Sequence, residues 1–183
     1  MKKIRIGIIG CGGIANNKHF PALSTQKDKC EMVAFCDVQV DRAKEAAEKY
    51  GVEGAKYYQD YNELLADESI DLVHVCTPNV SHSPITVAAF EAGKHVLCEK
   101  PMAHTPEAAQ LMMDAWRKSG KKFTIGYQNR FRKEVTALHE ACANGDLGEI
   151  YFAKAHAIRR KAVPTWGVFP DKSQQGGGPL IDI

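Results

Sequence analysis

The run Gly10-Cys11-Gly12-Gly13-Ile14-Ala15 has the spacing G-x-G-x-x-A and sits between an apolar, β-branched run and a helical pattern. Chemistry follows from that placement. The glycines allow a tight turn and let main chain approach a pyrophosphate, and the small Ala15 lets helix pack on strand. The helix start then turns its free N–H groups and positive dipole end toward the phosphates. Gly10, Gly12, Gly13 and Ile14 are accordingly the expected phosphate-side positions of a dinucleotide site. Asp37 closes the next strand pattern, where a carboxylate accepts hydrogen bonds from both ribose hydroxyls and repels a 2′-phosphate. Val38 follows where a basic residue would favour NADP, although Arg42 lies one helical turn further on, so NAD is expected in preference to NADP.

Glu99-Lys100-Pro101 comes directly after the run His95–Cys98, and Thr77-Pro78-Asn79 ends the run before that. Ligands of open parallel sheets bind at the carboxyl ends of the strands, so both tripeptides fall on the edge that carries the glycine turn. A rim lysine is often a solvated charge. Beside a cofactor turn, with Pro101 fixing its backbone, Lys100 becomes a candidate for proton transfer. His19 reads either as a neighbour of the nicotinamide or as a helix-end histidine in a structural hydrogen bond. His74 reads as a satisfied core histidine within its strand, and His104, His139 and His156 show no metal-ligand spacing.

The elements that position these residues alternate. Ile4–Ile9, Met32–Cys36, Leu72–Cys76, His95–Cys98 and Phe123–Gly126 read as buried strands. Between them, Asp41 predicts a helix cap with a stop at Gly51, and Asp60-x-x-Glu63 predicts a capping box. Ser83-Pro84 predicts a helix stopped by Gly93, and Thr105-Pro106 one stopped by Gly120. Strands and helices alternating at this spacing give an α/β fold with a parallel, doubly wound sheet. After Gly126 the pattern predicts a helix at about 131–144 and a strand over Ile150–Ile158. From Val163 to Gly178 neither period is present, and Pro179 suits the first turn of a new helix. The expected division is a dinucleotide-binding domain over 1–126 and the beginning of an α+β substrate and dimerisation domain over 127–183.

Composition fits a soluble globular chain: 183 residues, 44% hydrophobic and 25% charged, with 24 basic against 22 acidic residues. A net charge of +2 gives no field that argues for nucleic acid or a membrane surface. No apolar run approaches the ~20 residues of a membrane helix, and the N-terminus lacks a secretory pattern. Cys11, Cys30, Cys36, Cys76, Cys98 and Cys142 form no C-x-x-C pair, and several sit in apolar runs as small hydrophobes. A reduced, cytoplasmic setting is expected. Arg159-Arg160-Lys161 reads as a solvated strand end before an anion site, Trp166 and Phe169 as pocket wall or packing, and Met112, Met113 and Trp116 as core and interface.

Taken together these residues resemble the Gfo/Idh/MocA oxidoreductases. The resemblance rests on Gly10–Ala15, Asp37, Thr77-Pro78-Asn79 with His82, Gly93-Lys94-His95-Val96 leading into Glu99-Lys100-Pro101, and Gly176-Gly177-Gly178-Pro179-Leu180-Ile181-Asp182. It implies a Rossmann NAD-binding domain and a second domain whose open sheet floors the substrate site and forms a homo-oligomer. It adds His82 and Glu99 to the cofactor-side residues. It gives Lys100 a hydrogen bond to the substrate hydroxyl and makes Asp182 the acid of a G-G-G-x-L-x-D-x-G-x-H motif whose histidine lies four positions on. It also implies that the Lys100–Pro101 bond is cis.

The activity implied is hydride transfer between NAD and a secondary alcohol of a sugar, polyol or related small molecule. A redox-assisted glycosidase, which returns the hydride within each turnover, and a non-catalytic NAD(H)-binding regulator are the alternatives. The 183 residues alone are expected to fold and bind cofactor without dehydrogenase activity, with Ile150–Ile158 self-associating or packing back onto the first domain.

Overall fold

The computed structural model describes residues 2–156, 158, 165, 167–178 and 181. Six strands form one sheet: β1 (Ile4–Ile9), β2 (Cys30–Cys36), β3 (Lys56–Tyr58), β4 (Leu72–Val75), β5 (His95–Cys98) and β6 (Phe123–Ile125). Their order is β3-β2-β1-β4-β5-β6 and every pairing is parallel. The chain winds outward one way from β1 through β3, then returns to the other side of β1 as β4. This reversal opens a crevice at the carboxyl ends of β1 and β4.

Period-two alternation divides the core. Ile6 and Ile8 of β1 pack with Phe20, Met32, Phe35 and Ala43 on one face. Ile9 packs with Val33, Leu64, Val73, Phe90, Val96 and Met112 on the other. Helices α1 (Phe20–Ser24) and α2 (Val40–Tyr50) cover the first face. Helices α3 (Tyr61–Leu65), α4 (Asn79–Glu91) and α5 (Pro106–Ser119) cover the second. Beyond the sheet come α6 (Lys133–Ala143) and a short α7 (Lys172–Gln175). Among the described residues no helix is long and apolar enough to cross a membrane, and no described cysteine is in a disulfide.

Several local expectations are corrected. Strand β3 went unread because Lys56-Tyr57-Tyr58 is short and largely exposed on an edge, so it has no buried face to leave a pattern. Helix α2 starts after Gln39, and Asp41 sits in its first turn, where its charge suits the dipole. Asp60 does cap α3, but its side chain accepts the Asn62 N–H. Helix α4 begins at Asn79, so Pro84 lies inside it. Its missing N–H costs one helical bond, which packing of Ile85, Ala89 and Phe90 offsets. Helix α5 follows its signals: the Thr105 side chain accepts the Ala108 N–H, Pro106 starts the helix and Gly120 closes it.

The expected strand over Ile150–Ile158 is not formed among its described residues, where Tyr151 is 94% exposed. A strand needs a paired neighbour, and these residues have none among the described elements. Helix α7, within the stretch read as patternless, is set by Asp171, whose carboxylate accepts the Ser173 N–H. Arg159, Arg160, Lys161, Trp166, Pro179 and Asp182 lie outside the described residues.

Candidate cofactor site

Gly10 leaves β1 with φ +93°, and a Cβ there would stand 2.6 Å from the Cys76 carbonyl oxygen. No other residue lets the turn pass this close to the end of β4. The next glycine, Gly12, has open space where a side chain would project. The chain enters a helical segment at Gly13, and the Asn16 side chain holds the turn by donating to the carbonyls of Cys11 and Gly12 at 2.7 and 3.0 Å. Ile14 is exposed at the helix start, and Ala15 is fully buried against the sheet.

Ala15–His19 form a π-helical turn in which the Phe20 N–H reaches back to the Ala15 carbonyl. Such wide turns re-aim the residues that follow them. Here His19 reaches into the sheet's carboxyl edge.

Asp37 is buried at the end of β2. One carboxylate oxygen accepts the Cys11 N–H and the other the Gln39 N–H, both at 2.9 Å. Two ionised-acceptor bonds fix the carboxylate beside the glycine turn, and its remaining lone pairs are available to ribose hydroxyls. Burial and the neighbouring Asp37 charge push both the Cys11 and Cys36 thiols up to about 12, so they stay protonated. Val38 is 80% exposed beside the acid, and Arg42 is exposed on α2.

The second half of the edge is built from the ends of β4 and β5. Thr77 carries a buried hydroxyl oxygen with no hydrogen-bond partner. Asn79 opens α4, and its side-chain amide donates to the Gln175 carbonyl at 2.9 Å, tying α7 to this edge. The Lys100–Pro101 peptide is cis, as expected.

His82 does not face the crevice. It is fully buried on α4, with Nδ1 2.8 Å from the Pro101 carbonyl and Nε2 2.9 Å from the Thr77 carbonyl. Both partners are acceptors, so a neutral ring donates to one at a time and only the imidazolium to both. Burial lowers the His82 pKa, opposed by those two carbonyls. The ring clamps the Thr77 and Pro101 loops together from behind.

Glu99 is likewise engaged. Its Oε1 is 2.7 Å from His19 Nε2, and its Oε2 accepts the Lys100 main-chain N–H at 3.1 Å. Gly126 lies flat against the carboxylate, 3.2 Å from Oε1 where a Cβ would stand. Burial works against the Glu99 charge, but the His19 hydrogen bond and field and the neighbouring Lys100 hold its pKa below the usual range. His19 Nδ1 faces His74 Nδ1 at 3.0 Å. Burial, then the field of His19, lowers His74 to about 3, so it is neutral.

The sequence left His19 open between the site and a structural hydrogen bond, and read His74 as a core histidine. The available signal was His74 itself, an imidazole near the carboxyl end of a buried strand, which must find a partner at that edge.

These features fit a dinucleotide: an open glycine turn at a helix start, a ribose-side carboxylate and an orphaned buried hydroxyl further along the same crevice. A family model described as "Oxidoreductase family, NAD-binding Rossmann fold" matches residues 4–127. D-glucoside 3-dehydrogenase of Escherichia coli (strain K12) is 46% identical over 180 residues, 98% of this chain and 50% of that protein. The WlbA dehydrogenase from Bordetella pertussis, solved with NADH and UDP-GlcNAcA, superposes with a TM-score of 0.76 at 31% identity, covering 82% of this chain and 45% of that one. The KijD10 3-ketoreductase from Actinomadura kijaniata, solved with NADP and TDP-benzene, gives 0.71 at 29% identity, covering 79% and 43%. The chain spans about half the length of the curated relatives it matches.

Proposed function

Because the chain belongs to the Gfo/Idh/MocA oxidoreductase family, we propose that it provides the NAD-binding half of a dehydrogenase acting on a secondary alcohol of a sugar, polyol or related small molecule. The observation that carries this reading is the Asp37 carboxylate hydrogen-bonded to the glycine turn at Cys11. Ribose recognition and pyrophosphate binding are thereby held in one rigid unit. NAD is the cofactor this favours, although solved relatives hold either NADH or NADP.

When bound, the nicotinamide supplies a two-electron acceptor. The rest falls to this chain's residues. Gly10, Gly12, Gly13 and Ile14 bring main chain and helix start to the pyrophosphate, Asp37 takes the ribose hydroxyls, and Thr77, Pro78 and Asn79 line the far half. Arg42, exposed in the first turn of α2, is the proposed cofactor-side residue beyond the ribose acid. His82 and Glu99 act from beneath: one ties the two loops together, the other fixes the main chain at Lys100. Lys100 then hydrogen-bonds the substrate hydroxyl and helps carry its proton. Asp182, outside the described residues, joins it as the second proposed catalytic residue.

The two-domain division, with a cofactor domain over 1–126 and a substrate domain from 127 that forms a homo-oligomer, is part of the same proposal. The test is direct. Fluorescence titration with NADH should saturate at one site per chain, and the whole protein should form net NADH from NAD with a free glucoside or polyol. Absence of NADH binding overturns the reading. Cofactor binding without net NADH from any sugar or polyol overturns the dehydrogenase assignment.

A further inference from the structure

His74, His19 and Glu99 form an unbroken chain of ionisable groups drawn from β4, the π-helical turn and the end of β5. The proton positions in it are constrained. An ionised Glu99 requires His19 to donate from Nε2, and a neutral His19 then has only a lone pair at Nδ1. His74 must therefore donate from its Nδ1, and the chain carries one negative charge. One more proton in the chain leaves both of its hydrogen bonds intact, with the middle ring a donor on each side. His74 then switches to its other tautomer and accepts, and the net charge is zero. The side chains of His19 and Glu99 are only 9% and 12% exposed, so solvent does little to screen this change.

The chain's position gives that charge a reader. In a sheet wound in this order, one half of a dinucleotide lies over β1 and β2, here marked by Asp37, and the other crosses to the ends of β4 and β5. Glu99 stands at that second end, next to Lys100. On the reading that this edge binds NAD, we propose that the His74–His19–Glu99 chain is a proton-linked selector between oxidised and reduced cofactor. The cationic nicotinamide of NAD⁺ is held by the singly negative chain, and NAD⁺ binding expels the extra proton to solvent. The neutral nicotinamide of NADH meets no such charge dependence.

Among the described residues, the other titratable groups facing Glu99 are Cys76, Cys98, His82 and Lys100. Burial raises the pKa of the Cys76 and Cys98 thiols, so neither ionises across the histidine range, and it lowers that of His82, whose two nitrogens face the Pro101 and Thr77 carbonyls behind the loops. Lys100 faces both cofactor forms alike, and a probe without nicotinamide separates any contribution it makes through the phosphates.

The protein is titrated with NAD⁺, NADH and ADP-ribose at several values between about pH 5.5 and 8, the span over which histidine changes charge. NAD⁺ affinity should rise about ten-fold across that span, the effect of changing one elementary charge beside the cationic ring. NADH and ADP-ribose should change by less than about two-fold, so the preference is visible as a ratio. His19→Gln keeps a donor toward Glu99 without a titrating ring and should flatten the NAD⁺ profile. Glu99→Gln, a second route should the first variant fold poorly, should lower NAD⁺ affinity at every pH and remove the ratio.

Parallel pH profiles for NAD⁺, NADH and ADP-ribose in the unaltered protein overturn the selector while leaving cofactor binding intact. So does a His19→Gln variant that keeps the full NAD⁺ dependence. Failure of all three probes to bind at any pH overturns the cofactor reading itself, and the selector with it.

Discussion

The Asp37 carboxylate and the Cys11 main-chain N–H are joined at 2.9 Å across 26 residues of sequence. The acid that would meet a ribose and the turn that would meet a pyrophosphate therefore move as one. Its second oxygen, bonded to Gln39, anchors the same acid to the loop leading into α2.

NADH is accordingly expected to bind one to two decades more tightly than NADPH, since a 2′-phosphate beside a held carboxylate is repelled and loses a hydrogen-bonding site. Asp37→Ala should narrow that gap by weakening NADH more than NADPH. It also frees two main-chain donors, so absolute affinity should fall for both. Paired fluorescence titrations check this, and equal affinity in the unaltered protein would contradict it.

Lys100→Met in the whole protein should leave NAD affinity within a few-fold and lower kcat by ~10²–10⁴, the range for a positioned proton-transfer group. Steady-state kinetics beside a binding titration give both numbers. A near-normal kcat removes Lys100 from proton transfer.

His82→Ala opens a cavity in the core and removes the ring donor shared by the Thr77 and Pro101 carbonyls. A loss of about 3–5 kcal/mol is expected from the two effects together. A denaturant midpoint unchanged in the variant would show that the clamp contributes little.

His74 gives stability a pH slope with a definite sign. Its folded pKa of about 3 lies below the ~6.5 of an unfolded histidine. The unfolded chain therefore binds a proton that the folded one refuses, and stability falls as pH drops from about 6.5 toward 3. The slope from this group is about 1.4 kcal/mol per pH unit. His74→Leu should flatten it in urea melts between about pH 6.5 and 4.5. An unchanged slope would mean that His74 is protonated in the fold.

Asp67 adds a second slope lower down. The Lys56 hydrogen bond, followed by Ser69, holds its pKa at about 2. Its contribution is full above the unfolded value of ~3.9 and is lost as pH falls through about 2. Asp67→Asn should remove the acid-side loss, as read by melts at pH values below about 4.

What could be read from the sequence follows from what leaves a pattern. Ile4–Ile9 and His95–Cys98 were legible to the residue because buried strands are continuous apolar runs. Gly10, Asp37 and Lys100 were legible because turn, strand end and rim are defined by those runs. Edge strand β3 left no such mark. The start of α4 was misplaced because Pro84 normally opens a helix, and only tertiary packing explains its interior position. The contact of His19 with Glu99 joins residues 80 apart, and it depends on a π-helical turn that nothing in Ala15–His19 announces. His82 matched a motif, but a motif does not say whether a ring faces the ligand or the loops behind it.

The sheet order also sets a timetable for synthesis. Of the six strands β1 is made before the others, yet it is one of the two central ones, and one of its neighbours is β4. The Arg5 N–H that meets the Asp71 carboxylate must wait 66 residues for its partner. At ~5–20 residues per second, Ile6, Ile8 and Ile9 spend several seconds unpaired on a nascent chain. A strand at the centre of the finished fold is thus the one most exposed to wrong pairing while it is made, and slowing translation between β2 and β4 should lengthen that hazard.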